Sequence, residues 1–131
     1  MTGGDERERP LVLVADDDED ILALVSLQLE RANMDVIQAR DGDEALALAE
    51  ARLPDLAVLD VMMPGLNGYE VVKRLRSTEH AGTMPLILLT ARAGGGDASY
   101  GFQVGADDYI KKPFSPAELR ERVEALLARA E

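Results

Sequence analysis

The chain has 131 residues, enough for one domain with one core, and its 47% hydrophobic content favours folding over disorder. Fourteen basic against 25 acidic side chains give a formal charge of −11, which argues against this chain gripping nucleic acid directly and suits divalent cations or a basic partner. It has no cysteine, which excludes disulfides and thiolate metal sites and fits a reducing compartment.

The start, MTGGDERERP, lacks the apolar core of a secretory signal. Residues 1–9 read as a flexible polar tail, and 10–131 as one domain. No apolar run approaches the roughly 20 residues of a membrane span, so no membrane partner is expected. The first strand, LVLVA (11–15), exits into five acids, Asp16, Asp17, Asp18, Glu19 and Asp20. Ile21, Leu24, Val25, Leu29 and Ala32 recur at helical spacing, so a helix follows with Asp18 as its cap and Glu19 and Asp20 in its first turn. That leaves Asp16 and Asp17 at the strand end without a helical role.

Further strands read at DVIQA (35–39), DLAVLD (55–60), PLILLT (85–90) and DYIKK (108–112). Asp41 with Glu44 suggests a capping box before ALALAEA, and Asn67 with Glu70 another before VVKRLR. A fourth helix near 97–104 is the weakest element, since AGGGD precedes it and Gly101 interrupts it. Ser115, Pro116 and Glu118 form the strongest start signal, before a stripe of Leu119, Val123, Leu126, Leu127 and Ala130. His80 reads as solvated, Met62, Met63 and Met84 as packing, and the glycines at 94–96 as a flexible loop.

Strand–helix alternation predicts an α/β fold, a doubly wound parallel sheet with helices on both faces. Functional groups then gather beyond the carboxyl ends of the strands. Those ends carry Asp16 and Asp17, Asp60, Thr90 and Lys112. Carboxylates crowded together need either a proton or a cation. An oxygen-only donor set suits a hard ion such as Mg²⁺. Lys112 adds a point charge and Thr90 a hydroxyl donor, so the set forms a cradle for a phosphoryl group on a carboxylate.

The segments LVLVADDDEDI, DLAVLDVMMPGLNGYE, PLILLTA and GADDYIKKPFSPAEL, in that order over residues 10–130, resemble a bacterial response-regulator receiver domain of the chemotaxis-Y-like superfamily. That resemblance implies a (βα)5 flavodoxin-like sandwich with a five-stranded sheet in order 2-1-3-4-5. It implies phosphorelay signalling in which Asp60 receives a phosphoryl group from a sensor histidine kinase or phosphotransfer protein. Asp16 and Asp17 would hold Mg²⁺, or Mn²⁺ in its place, with Asp17 the direct ligand and Asp16 acting partly through water. The Met62 backbone carbonyl would add a ligand, and Thr90 and Lys112 would contact phosphoryl oxygens. Tyr109 matches the aromatic switch residue, Lys112–Pro113 the family's cis peptide, and Arg92 a position that tunes acyl-phosphate lifetime.

The switched surface would be formed by the fourth helix, fifth strand and fifth helix, acting on a downstream protein or a fused output domain. A cytoplasmic phosphoacceptor that is not an enzyme is implied. Asp108, Glu118 and Arg122 fit the charged pairs of dimerising relatives, but Ala98 stands where a basic partner for Glu118 usually lies. A monomer or weak dimer is therefore expected. Two alternatives are an aspartyl-phosphate hydrolase of the haloacid dehalogenase type, which wants an acid where Met62 stands, and a receiver-like interaction domain that is never phosphorylated.

Overall fold

The computed structural model describes residues 9–79, 81–91, 100 and 102–130. His80, Arg92, Ala98 and the glycines at 94–96 lie outside the described residues. The elements are β1 (Leu11–Ala15), α1 (Glu19–Arg31), β2 (Asp35–Ala39), α2 (Gly42–Arg52), β3 (Leu56–Asp60), α3 (Gly68–Arg76), β4 (Leu86–Thr90), β5 (Asp108–Lys111) and α5 (Pro116–Ala130). Of the fourth helix, α4, Tyr100 and residues 102–104 are described, and they are helical.

All strands pair in parallel, in the order β2-β1-β3-β4-β5. Alternating side chains split the core in two. Leu13, Ala57, Leu59, Leu86 and Leu88 pack with Val71, Val72 and Leu75 of α3 and with α2. Val12, Val14, Val58, Ile87, Leu89 and Ile110 pack with Leu22, Val25 and Leu29 of α1 and Leu119 and Val123 of α5. The central strands β1, β3 and β4 are buried throughout, which is why their sequences are apolar up to the last residues of β3 and β4, Asp60 and Thr90. Edge strands β2 and β5 are only partly buried and carry polar residues.

Helix starts follow the cap signals. Asp18 Oδ1 accepts from the N–H groups of Asp20 and Ile21 at 2.9 and 3.3 Å. Asn67 and Glu70 form the full reciprocal box, and Ser115 Oγ accepts from Glu118 N–H at 3.0 Å. The box at Asp41 is shifted: Asp41 caps Glu44 N–H at 2.7 Å, but Glu44 returns to the N–H of Arg40. The two caps differ in backbone, with φ −149° at Asp41 and −81° at Asn67.

The apolar stripe of α1 also differs from the spacing argument. Leu24 is 49% exposed, whereas Leu22, outside the expected stripe, is buried. The helix turns Leu22, Val25 and Leu29 toward the sheet, and Leu24 lies on its flank. Arg9, counted with the polar tail, donates to Met34 O at 3.1 Å and pairs with Asp35 at 3.0 Å.

Arg76, at the end of α3, ties together two turns. Its guanidinium donates to Gly105 O (2.9 Å), Met84 O (2.7 Å), Gly82 O (3.2 Å) and Asp107 Oδ2 (2.9 Å). The same Asp107 oxygen accepts from Leu86 N–H at the start of β4. Arg76→Ala should lower unfolding free energy by roughly 2–4 kcal/mol in urea titration, because it strands part-buried acceptors. Arg76→Lys should recover little of it, since one ammonium cannot serve all of these acceptors. A loss under about 0.5 kcal/mol would mean that water replaces the guanidinium.

Candidate functional site

Parallel strands bring their carboxyl ends to one edge. Asp16 follows β1 directly, Asp60 ends β3, Thr90 ends β4 and Lys112 follows β5. Asp16 and Asp60 are buried, while Asp17 is exposed. Lys112 Nζ stands 3.0 Å from Asp16 Oδ2 and 3.3 Å from Asp60 Oδ1. Asp16 Oδ1 accepts from Asp18 N–H at 3.0 Å, so the acid at the strand exit also orients the turn into α1. Asp16, Asp17 and Asp60 each offer a carboxylate oxygen, all within 4.8 Å of one another.

This crowding has an electrostatic cost. Burial, and then the neighbouring Asp16 carboxylate, push the Asp60 pKa up to about 6, while Lys112 and the Met62 N–H oppose the rise. At Lys112, burial acts to lower the pKa. The Asp16 hydrogen bond and the charges of Asp60 and Asp16 outweigh it, so the net shift is upward. Lys112 therefore stays an ammonium at neutral pH. Three carboxylates and one ammonium leave a formal −2 with all groups ionised, a deficit one divalent cation would cancel. The donors are oxygens only, with no histidine or cysteine in the group, so the residues present fit a hard ion.

Thr90 is fully buried, and its carbonyl accepts from Lys112 N–H at 2.7 Å. The peptide between Lys112 and Pro113 is cis. Lys111 pairs with Thr90 in register and is exposed, so the two lysines diverge as strand alternation requires. Met62 is 57% exposed, and its N–H lies 3.4 Å from Asp60 Oδ1. The Tyr109 ring stands 6.3 Å from that of Phe102, and its buried hydroxyl has no hydrogen-bond partner among the described residues.

The Lys112–Asp16 contact is not legible in sequence beyond an acid after the first strand and a lysine after the fifth. Beside Lys112 lies a cavity of about 390 Å³ lined by Ile21, Leu24, Ala91, Pro113 and Phe114.

A doubly wound sheet in this order, with acids and a lysine gathered at one edge, fits the receiver class of signalling domain. Residues 12–124 match the family model for the response regulator receiver domain, and the chain belongs to that family. It is a receiver domain of two-component phosphorelay signalling, and the matches favour this over the hydrolase alternative. It is 50% identical over 92% of its length to the alkaline phosphatase synthesis transcriptional regulatory protein PhoP of Bacillus subtilis, covering 49% of that protein. It is 46% identical over 93% of its length to the DNA-binding dual master transcriptional regulator RpaA of Synechocystis, covering 51% of that protein. The chain thus spans about half the length of the curated relatives it matches. Among solved structures, the receiver domain of Francisella response regulator 1452 superposes with a TM-score of 0.89 at 39% identity, over 94% of this chain and 100% of that one. Chemotaxis response regulator CheY4 of Vibrio cholerae superposes with a TM-score of 0.85 at 34% identity, over 89% and 98%. Among the described residues, no helix is long and apolar enough to cross a membrane.

In metal-free protein the Asp60 carboxyl should titrate near pH 6 by carboxyl-carbon NMR, and saturating Mg²⁺ should move it down. Its folded pKa lies above the unfolded value of 3.8, so its contribution to stability falls as pH rises from about 4 to about 6. Asp60→Asn should therefore stabilise the metal-free protein by about 1–3 kcal/mol near pH 8 and by little near pH 4. Equal stability of the two proteins near pH 8 would contradict the crowding.

Proposed function

We propose that Asp60 accepts a phosphoryl group from the phosphohistidine of a sensor histidine kinase or a phosphotransfer protein. One observation carries this reading: a buried Asp60 carboxylate at a strand end, 3.3 Å from Lys112 Nζ and grouped with Asp16 and Asp17. A carboxylate oxygen of Asp60 attacks phosphorus in line. The new bond is O–P, the P–N bond breaks, and the imidazole leaves with its electron pair. Lys112 neutralises charge on the transferring oxygens, and Thr90 donates its hydroxyl to one of them. Asp16, Asp17, Asp60 and the Met62 carbonyl would hold Mg²⁺, or Mn²⁺ in its place. When bound, the ion supplies further positive charge to the transferring group.

The acyl phosphate carries about −1.5 to −2 charge where the ionised carboxylate carried −1, and it presents three acceptor oxygens. Thr90 moves toward it, Tyr109 turns inward, and the α4-β5-α5 face changes shape. The domain is a phosphoacceptor that assists its own phosphorylation and dephosphorylation. It spans residues 10–131 behind a polar segment at 1–9 whose last residue, Arg9, is bonded to the domain, works in the cytoplasm, and signals to a downstream protein or a fused output domain. Self-association is weak. Arg122 is held in a fork by Asp108 at 2.8 and 2.9 Å and lies 3.4 Å from Glu118, so these charges satisfy one another within the chain.

Acetyl phosphate with Mg²⁺ should label the wild type, and excess chelator or Asp60→Asn should abolish the main label. Lys112→Ala should slow labelling or blunt the response at least ~10-fold, and Lys111→Ala by less than about twofold. Phosphate found by mass spectrometry on another residue would move the acceptor, and equal lysine effects would misplace the end of β5. Sedimentation should give a monomer without beryllofluoride and at most a weak dimer with it. A tight, activation-dependent dimer would overturn the weak-association claim.

A further inference from the structure

Glycines surround the loop of residues 61–67, which joins β3 to α3 and carries Met62. Gly42 is the first residue of α2. A Cβ placed on it would stand 1.8 Å from Leu66 O, 2.6 Å from Leu66 C and 2.7 Å from Leu66 Cβ. Its N–H, one of the donors a helix start leaves unpaired, donates to Pro64 O at 3.3 Å. From the other side, a Cβ on Gly68, the first residue of α3, would stand 2.5 Å from Asp60 O and 3.0 Å from Val61 Cα. The Gly68 N–H donates to Val61 O at 3.0 Å. Gly65, between them, has φ +73°. The loop is therefore gripped by two helix N-termini whose contacting residues lack side chains.

Backbone atoms cannot yield as the end of a flexible side chain can. A methyl at Gly42 would force Leu66 or α2 to move by about 1 Å or more. The loop is short and bonded at both ends, so movement at Leu66 passes back toward Met62 and Asp60.

We infer that Gly42 is a positioning residue for the divalent-metal site: by admitting the loop against α2, it sets where Met62 and Asp60 stand relative to Asp16 and Asp17. This rests on the proposed reading of those residues as metal-holding.

The test compares Gly42→Ala with Gly105→Ala. Gly105 also resists a side chain, with φ +120° and a Cβ that would stand 2.9 Å from Arg76 Cγ, but it belongs to the turn before β5. Calorimetric Mg²⁺ titration should show affinity weakened about 10-fold or more in Gly42→Ala and changed by less than about twofold in Gly105→Ala. Without metal, Gly42→Ala should shift the Val61 and Met62 amide resonances. Wild-type affinity in Gly42→Ala, or shifts confined to 41–46 and 64–67, would overturn the inference. If the wild-type protein itself takes up no Mg²⁺, the metal assignment fails, while the metal-free shifts still decide whether Gly42 acts on residues 60–62. Should Gly42→Ala not fold, Gly68→Ala presses the same loop from the opposite side, and the same two readouts decide.

Discussion

A single ammonium between two buried carboxylates holds the functional edge together. Lys112 reaches Asp16 across 96 residues of sequence and Asp60 across the sheet. Two buried carboxylates this close repel, and neither is solvated enough to tolerate the other alone. Their compensation arrives only when β5 has docked beside β4, since only then does the residue after Lys111 stand over the edge. The last strand of the sheet is thus tied electrostatically to the first and third. Because the ammonium offsets one charge and not all three, the edge remains anionic. That residual charge suits the edge to a divalent cation, and the Asp16 carboxylate adds to burial, the larger cause, in raising the Asp60 pKa.

Much of this was legible in sequence, for a definite reason. A strand covered on both faces must be apolar at every position, so LVLVA, the apolar part of DLAVLD and LILLT could hardly be anything else. Parallel strands all end at the same edge, so the order of strand-end residues already implied that Asp16, Asp60, Thr90 and Lys112 would converge. The caps at Asp18, Asn67 and Ser115 were legible because capping is local chemistry, decided within four residues.

What was not legible depends on neighbours that periodicity does not contain. Helical spacing groups Leu24 with Val25 and Leu29, yet where the buried arc stops depends on how α5 sits beside α1, and Leu24 falls outside it. Arg76 looks like one more basic residue at a helix end, and its acceptors at Gly82, Met84, Gly105 and Asp107 come from two separate turns. Gly42 looks like ordinary turn chemistry after Asp41. Only the packing of α2 against the β3–α3 loop shows that a methyl there meets a carbonyl. In each case the sequence carries the residue, and the constraint lies in a distant backbone.

Strand alternation also divides labour between the two sides of the sheet. Leu89 and Ile110 belong to the core beneath α1 and α5, and register places Asp60 beside Leu89. Lys112, two residues beyond Ile110, shares that side. Leu88 belongs to the opposite core and Tyr109 packs against it, and Thr90, two residues beyond Leu88, shares that side. The acid and ammonium groups thus lean toward α1 and α5, while Thr90 and Tyr109 lean toward the side of α3 and α4. Phe102 of α4 sits against Tyr109, and Tyr100 of α4 meets Tyr69 of α3 edge to face at 4.8 Å. A charge added to Asp60 would therefore arise on one side of the sheet, while its proposed response unfolds on the other. Thr90 is suited to couple them because it ends β4 in the layer between, fully buried, with its carbonyl already bonded to the backbone of Lys112. A shift of the β4 end would move Lys112 with it, so under the proposed reading capture of the phosphoryl group and the response to it would share one hydrogen-bonded hinge.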